Sequence, residues 1–162
     1  MEATEFFIDL ADRITLDDWT FHLIGFADDD EYFEELRQKS KSVDGLIFEG
    51  PVPPGEDMEW YRRAGLFVNT STAEGFPNSF IQSWIHGTPV ASMEVDPDGL
   101  ICEHKAGVHE PKFGKFVGEV ETLLKNSELH AEKSRNARQL GKQFNIRSTA
   151  MKYLEIYREL LG

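Results

Sequence analysis

Cysteine is almost absent from this 162-residue sequence, in which Cys102 is the only one. A single thiol cannot form a disulfide within the chain, which is typical of a protein from the reducing cytoplasm. A chain of this length can bury a core of its own without covalent cross-links. The sequence therefore predicts one domain over residues 1–162, located in the cytoplasm.

Positive charge is also scarce. The sequence has 17 Lys and Arg residues but 29 Asp and Glu residues, which gives a formal net charge of −12. Such a charge repels phosphate backbones and anionic membrane surfaces, so we expect no nucleic-acid partner and no polybasic membrane contact. The acidity itself is explained by ordinary solubility or by a salt-adapted source.

Long apolar runs are lacking as well. No stretch approaches the roughly 18 apolar residues of a membrane-spanning helix, and the sequence does not open with the pattern of a signal peptide. We expect no transmembrane segment. The composition is nevertheless 40% hydrophobic and 12% aromatic, which excludes a disordered chain.

The segment 66–93 has the pattern of a strand, a loop, a helix and a second strand. Residues 66–68 are apolar and favour a strand, and Pro77 suits the first position of a helix because its missing N–H needs no partner there. Gly87 is a typical helix stop, and residues 89–93 favour the next strand.

The helix of this segment has two different sides. At 100° per residue, Phe80, Ile81 and Trp84 share an apolar side, whereas Asn78 and Gln82 share a polar one. If the apolar side packs on a parallel sheet, the helix N-terminus lies over the carboxyl ends of the strands, where open α/β folds bind ligands.

An anion is the ligand that such a helix N-terminus attracts, through free N–H groups and the positive end of the helix dipole. A phosphate could lie at Asn78 and Ser79, with the Glu74 carboxylate near enough to accept hydrogen bonds from an attached sugar. The alternative is that Glu74 caps the helix and Asn78 is simply solvated. The residues alone favour neither interpretation.

Three segments, 74–80 (EGFPNSF), 87–90 (GTPV) and 95–99 (VDPDG), resemble the C-terminal, donor-binding domain of family 4 retaining glycosyltransferases of the GT-B fold. The similarity extends over nearly all of the chain from about Phe6. These enzymes carry a Glu-x7-Glu motif. Glu74 matches its first Glu, but Gln82 stands where its second Glu is expected.

The resemblance implies a Rossmann-like α/β fold, a parallel sheet with helices on both faces, forming the C-terminal half of a GT-B enzyme. In that family a first strand and a glycine-containing loop with an Arg and a Lys come before the first helix, and this sequence contains neither. The implied function is retaining, metal-independent transfer from a nucleoside-diphosphate sugar in glycan biosynthesis, without a cofactor. The acceptor, and any membrane contact, would belong to a second, N-terminal domain.

The site residues implied by the resemblance come from two segments. Glu74 is the catalytic candidate, and the donor-binding candidates are Gly50, Pro51, Val52, Ser71, Glu74, Gly75, Phe76, Pro77, Asn78, Ser79 and Gln82. Residues 50–52 belong to a loop that borders the nucleotide base in that family. The alternative for this loop is an ordinary strand-to-helix turn.

Periodicity predicts the remaining elements. We expect helices at 6–14, 56–64, 113–124, 127–140 (with a Ser cap) and 146–161, and strands at 21–26 and 46–48. Alternation of strands and helices predicts a parallel sheet. The apolar stripe of the last helix, which includes Tyr153, Leu154, Tyr157 and Leu161, could cover this domain's own core or cross to another domain.

Three groups of polar residues could suggest metal sites. The acidic run 28–31 is better explained by the helix dipole, since it comes at a predicted helix start. Asp96 and Asp98 form an Asp-x-Asp pattern, but Pro97 and Gly99 mark a turn. Cys102, His104 and His109 lack paired-ligand spacing and a fourth ligand. We therefore expect no metal.

Two functions remain open. One is the donor-binding domain of a glycosyltransferase, which in this length of chain would be inactive without its acceptor domain. The other is a non-catalytic sugar-nucleotide or partner-binding module of the same fold, which Gln82 and the lack of the basic loop favour.

Overall fold

The computed structural model describes residues 3–25, 27–53, 55–144 and 146–161. Helices and strands alternate from α1 to α6, and two more helices follow. They are α1 (Ala3–Arg13), β1 (Phe21–Ile24), α2 (Asp30–Ser40), β2 (Leu46–Gly50), α3 (Asp57–Arg63), β3 (Phe67–Asn69), α4 (Asn78–His86), β4 (Val90–Ser92), α5 (Leu100–Glu103), β5 (Gly107–His109), α6 (Phe113–Lys125), α7 (Ser127–Gly141) and α8 (Ile146–Leu161).

The described strands pair in parallel, in two groups. β1 pairs with β2, while β3, β4 and β5 form a second group with β4 in the centre. Helices lie on both faces: Ala91 and Val108 pack in a core with α1 and α6, and Val90 packs in another with α4 and α7. The α/β fold with helices on both faces of parallel strands is confirmed.

Helix α4 is held by one of these cores. Phe80 and Trp84 are fully buried, as the apolar side of the helix predicts. Gly87 ends the helix with φ 80°, and its N–H donates back to the carbonyls of Ser83 and Trp84. Helix α7 crosses α4 closely at Gly141, where a Cβ atom would lie 2.4 Å from the Trp84 carbonyl oxygen.

A cavity of about 740 Å³ separates the two strand groups. All of β1 and all of β3 line it, together with residues of α1 and α3. β4, which has a partner on each side, is buried at every residue, whereas Leu23 in β1 and Val68 in β3 are only half-buried. The edges of β1 and β3 that border the cavity form no strand pairing within the described residues.

Several predicted boundaries need correction. β1 ends at Ile24, and Phe26, expected in the same strand, lies outside the described residues. α4 begins at Asn78 rather than at Pro77, which has ψ 124° and takes the N-cap position. The cap of α7 is Asn126 rather than Ser127, because the Asn126 side chain accepts a hydrogen bond from the Leu129 N–H.

The last helix, α8, does not cover this domain's core along its described stripe. Tyr153, Leu154, Tyr157 and Leu161 are all exposed, and Leu161 retains 85% of its accessible surface. The alternative that the stripe covers the domain's own core is therefore wrong for these residues. Ile146, expected at the start of the stripe, has a side chain outside the described set.

Candidate functional site

The loop 70–77 connects the carboxyl end of β3 to the start of α4. Two hydrogen bonds fix its beginning: the Ser71 N–H donates to Asn69 Oδ1 over 2.9 Å, and the Thr70 hydroxyl donates to the carbonyl of Ala3 over 2.5 Å. The loop thus begins at the carboxyl edge of β3, as the pattern of residues 66–93 predicts.

The N-terminus of α4 has free donors. No side chain caps the helix, and the N–H groups of Asn78 and Ser79 have no partner in the described part of the chain. Asn78 is exposed and Ser79 is half-buried. Unpaired N–H groups at the positive end of a nine-residue helix suit an anion such as a phosphate.

Glu74 is exposed and forms no hydrogen bond or ion pair in the described part of the chain. It does not cap α4, so the alternative interpretation of this residue as a helix cap is wrong. Gly75, also exposed, has open space where a Cβ atom would lie. The Glu74 carboxylate can therefore accept hydrogen bonds from a ligand without giving up a bond within the protein.

Aromatic packing anchors the loop beside Glu74. The Phe76 ring lies 6.4 Å from the Trp84 ring and 5.6 Å from the Phe144 ring, and Trp84 stacks on Phe144. Trp84 is fully buried, whereas Phe76 is 39% exposed. The loop is thus attached to the core on one side and open to solvent on the other.

Gln82 lies one turn after Asn78 on α4. It is half-buried, and its amide has no partner in the described part of the chain. The polar side of α4 therefore carries two side chains that can form hydrogen bonds with a ligand. Asn78 lies at the helix N-terminus, and Gln82 lies one turn further along the helix.

The loop 50–52 belongs to the other strand group. Gly50 ends β2 with φ 74°, and its carbonyl accepts a hydrogen bond from the Gly25 N–H over 3.0 Å. Pro51 is exposed and Val52 is half-buried. No hydrogen bond, ion pair or ring contact joins residues 50–52 to residues 71–82 within the described chain. Residues 71–82 thus lie together on one loop and one helix, and no direct bond links them to residues 50–52 within the described chain.

A second polar cluster forms where β4 and β5 end. One ligand atom each of Asp96, Cys102 and His109 lies within 4.8 Å of the other two. Asp96 Oδ1 accepts from the Ile101 N–H and Oδ2 from the Cys102 N–H, over 2.8 and 3.3 Å. His104, considered with Cys102 and His109 from the sequence, is not a member of this cluster.

The cluster is not a nucleophilic triad. Partial burial raises the pKa of the Cys102 thiol, and its hydrogen bond to Asp96 raises it further, so the reactive thiolate is disfavoured. Cys102 Sγ and Asp96 Oδ2 both lie 3.9 Å from the same nitrogen, Nδ1 of His109. A triad needs the nucleophile and the carboxylate on opposite ring nitrogens.

A row of polar residues at the carboxyl edge of β3, β4 and β5 was not predicted from the sequence. Asn69, Ser92 and His109 stand side by side at the ends of β3, β4 and β5. Asn69 Nδ2, Ser92 Oγ and His109 Nε2 are buried without a partner among the described residues. The signal was present, because the carboxyl ends of parallel strands meet at one edge and each of these strands ends in a polar residue.

Comparison with known families identifies the chain. The model of the family described as "Glycosyl transferases group 1" matches residues 1–126. This protein belongs to that family. A D-inositol 3-phosphate glycosyltransferase of Thermobispora bispora is 31% identical over 126 residues, 74% of this chain and 28% of the relative. An uncharacterized glycosyltransferase of Haemophilus influenzae is 22% identical over 134 residues, 80% of this chain and 37% of the relative.

Solved structures show the same fold. Anabaena HepE in complex with UDP-glucose matches with a TM-score of 0.79 and 19% identity, over 96% of this chain and 44% of HepE. Sucrose-phosphate synthase from Thermosynechococcus elongatus matches with a TM-score of 0.79 and 18% identity, over 99% of this chain and 42% of the synthase. The predicted glycosyltransferase fold of the GT-B type is confirmed.

The group 1 domain described here spans 28–44% of the length of these relatives. In its described residues, no helix has both the length and the apolar character that crossing a membrane requires.

Proposed function

We propose that this domain binds the nucleoside-diphosphate sugar of a retaining, metal-independent glycosyltransferase that acts in glycan biosynthesis. The observation that carries the proposal is the uncapped N-terminus of α4, with the unpaired carboxylate of Glu74 in the loop just before it. The family match and the UDP-glucose complex of a structural neighbour support it and make UDP-sugars the first ligands to test.

Each part of the site has a proposed role. The N–H groups of Asn78 and Ser79 hold the diphosphate and stabilise the charge that develops on it as the leaving group, an electrostatic contribution that is large in many enzymes. Glu74 accepts hydrogen bonds from the sugar. Gln82 accepts from the ribose, and residues 50–52 border the base.

A second domain would hold the acceptor. Two surfaces support this part of the proposal: the exposed apolar stripe of α8, and the cavity whose walls include the unpaired edges of β1 and β3. Both would be covered in a longer enzyme. In that enzyme the chain described here corresponds to the C-terminal half.

The alternative is a non-catalytic sugar-nucleotide or partner-binding module. It is favoured by Gln82 and by the lack of any Lys or Arg paired with residues 71–79 in the described chain. Because the described chain offers no such charge-assisted bond to a phosphate, we expect the domain to bind UDP weakly under either function, with a dissociation constant of about 1 mM.

The Glu74→Ala variant tests the proposed site. We expect it to weaken UDP-glucose binding severalfold and to leave UDP binding nearly unchanged, because Glu74 contacts only the sugar in this arrangement. Calorimetric titration of the parent and the variant with both ligands measures the difference. Glu155→Ala, which removes an exposed carboxylate from α8, is the control and should change neither affinity.

Two results would contradict the proposal. If Glu74→Ala weakened UDP as much as UDP-glucose, Glu74 would not be the residue on the sugar side. If the parent bound neither ligand nor any guanosine or adenosine diphosphate sugar at millimolar concentration, the domain would not be a donor site in this form.

The Gln82→Glu variant tests the ribose contact. Gln keeps one acceptor oxygen but lacks the charge that strengthens a hydrogen bond, so we expect Glu to tighten nucleotide binding by roughly 1 kcal/mol. Repulsion between the new charge and the diphosphate opposes this gain and is screened by water. Gln143→Glu, an exposed position in the turn before α8, is the matched control. Gln82→Ala removes the acceptor without adding a charge, and UDP binding as tight as the parent's in that variant would remove Gln82 from the site.

A further inference from the structure

We propose that Asp96, Cys102 and His109 form a zinc-binding site that is distinct from the proposed donor site. Within the described residues, this is the one place where three Asp, Glu, His or Cys side chains bring a ligand atom each to within 4.8 Å of the others. None of the three residues belongs to segments 50–52 or 71–82.

The spacing of the ligand atoms suits a small tetrahedral ion. Cys102 Sγ and Asp96 Oδ2 each lie 3.9 Å from His109 Nδ1. Zinc binds thiolate sulfur at about 2.3 Å, imidazole nitrogen at about 2.0 Å and carboxylate oxygen at about 2.0–2.2 Å. With these bond lengths, tetrahedral geometry puts Sγ about 3.5 Å and Oδ2 about 3.3 Å from Nδ1. Binding of the ion would therefore shorten these two separations by about 0.4 and 0.6 Å.

The backbone holds two of the ligands in place before an ion arrives. The Asp96 side chain is 93% buried, and its carboxylate accepts hydrogen bonds from the N–H groups of Ile101 and Cys102. His109 is the last residue of β5 and is paired with Ser92 in the sheet. Cys102 is exposed, so an ion can enter from solvent. Its thiol loses its proton to the buffer when the metal–sulfur bond forms.

The ligand set selects the metal. Sulfur, nitrogen and a single carboxylate suit zinc and similar transition metals, whereas Mg²⁺ and Ca²⁺ prefer six or more oxygen ligands. Three protein ligands leave one position of a tetrahedral zinc open. A zinc ion at this site would link the turn after β4 to the end of β5. The glycosyl transfer proposed above does not require a metal, so the zinc would not take part in it.

Cobalt(II) is the probe for the test, because it enters zinc sites and shows a sulfur-to-metal charge-transfer absorption. Titration of the chain with cobalt chloride, without any affinity tag, should produce this absorption with one ion per chain. Zinc should then displace the cobalt. Cys102→Ser should abolish the absorption, and His109→Ala should weaken cobalt binding about tenfold or more.

His104→Ala is the matched control. It removes a neighbouring His that the structure places outside the cluster, so it should leave the absorption and the affinity unchanged. Circular dichroism and the thermal midpoint establish that each variant is folded, and Cys102→Ala and His109→Gln replace any that is not.

Three outcomes would overturn the proposal. They are the absence of a charge-transfer absorption at millimolar cobalt, an absorption that survives in Cys102→Ser, and an affinity that falls as much in His104→Ala as in His109→Ala. Donor binding is measured separately with UDP-glucose, so failure of the zinc site leaves the proposed function untouched.

Discussion

Gly107→Ala should be strongly destabilising and should lower the free energy of unfolding by about 3 kcal/mol or more. Gly107 lies in β5 opposite Val90 of β4, and a Cβ atom on it would lie only 1.7 Å from the Val90 carbonyl oxygen. The neighbour is backbone of a fully buried strand, so it cannot rotate away as a side chain would. Overpacking a well-packed interior costs about 1–3 kcal/mol, and sometimes more. Here we expect at least the upper value, a large share of a typical stability of about 5–15 kcal/mol.

Gly118→Ala is the matched control for this substitution. Gly118 lies in α6, is exposed, and has open space where the new methyl group would go. Replacing a helical Gly by Ala stabilises a helix by about 0.5–1 kcal/mol. The same chemical change should therefore have opposite signs at the two positions. Urea unfolding followed by circular dichroism measures both, and equal stability of Gly107→Ala and the parent would show that β4 and β5 do not approach as described.

The apolar periodicity of the sequence was enough to predict most of the helices. The repeats in α1, α4, α6 and α8 predict helices because each apolar side recurs every three or four residues. Gly87 predicts the end of α4, because a left-handed turn favours glycine. Alternation of strands and helices then gave the parallel sheet with helices on both faces.

Boundaries were harder to predict than elements. Pro77 has the φ of −65° that suits the first helical position, but its ψ of 124° places it at the cap, and the proline ring fixes only φ. Asn126 and Ser127 are both good caps, and only the bond from the Leu129 N–H distinguishes them.

Contacts between distant residues could not be predicted from local pattern. The turn of Asp98 and Gly99, both with positive φ, folds the chain back so that the N–H groups of α5 meet Asp96. Only then does Cys102 come near His109. Gly107 likewise gives no local sign of its role, because the atom that excludes a side chain there belongs to β4.

Only part of the candidate donor surface can be predicted from the sequence, because only part of it is formed by residues that are close in sequence. Residues 71–82 are close in sequence, so a loop and one helix bring them together. Residues 50–52 follow a strand of the other group, and their place beside a nucleotide depends on what lies between the groups. Their assignment to the base stays a prediction that only a bound nucleotide can test.

The second large effect concerns catalysis: this chain alone should transfer no sugar from UDP-glucose. A transferase must hold the donor and the acceptor in the right relative orientation. Reactants held in this way react as if one of them were present at an effective concentration of roughly 10⁵ M or more. The surface at 71–82 is proposed to bind the donor alone, and the described chain has no second α/β unit that could hold the acceptor. Binding of UDP-glucose without transfer is therefore the expected result.

The measurement is release of UDP and formation of glycoside from UDP-glucose, with soluble sugars and lipid-linked sugars offered as acceptors. Hydrolysis of UDP-glucose in the same sample sets the background, and Glu74→Ala is the control for any slow release that depends on the site. Transfer sustained well above hydrolysis would mean that this single domain positions an acceptor too. The exposed stripe of α8 and the cavity between β1 and β3 would then be the surfaces to search for it. The stripe is apolar and exposed, and the strand edges that border the cavity have no strand partner in the described chain.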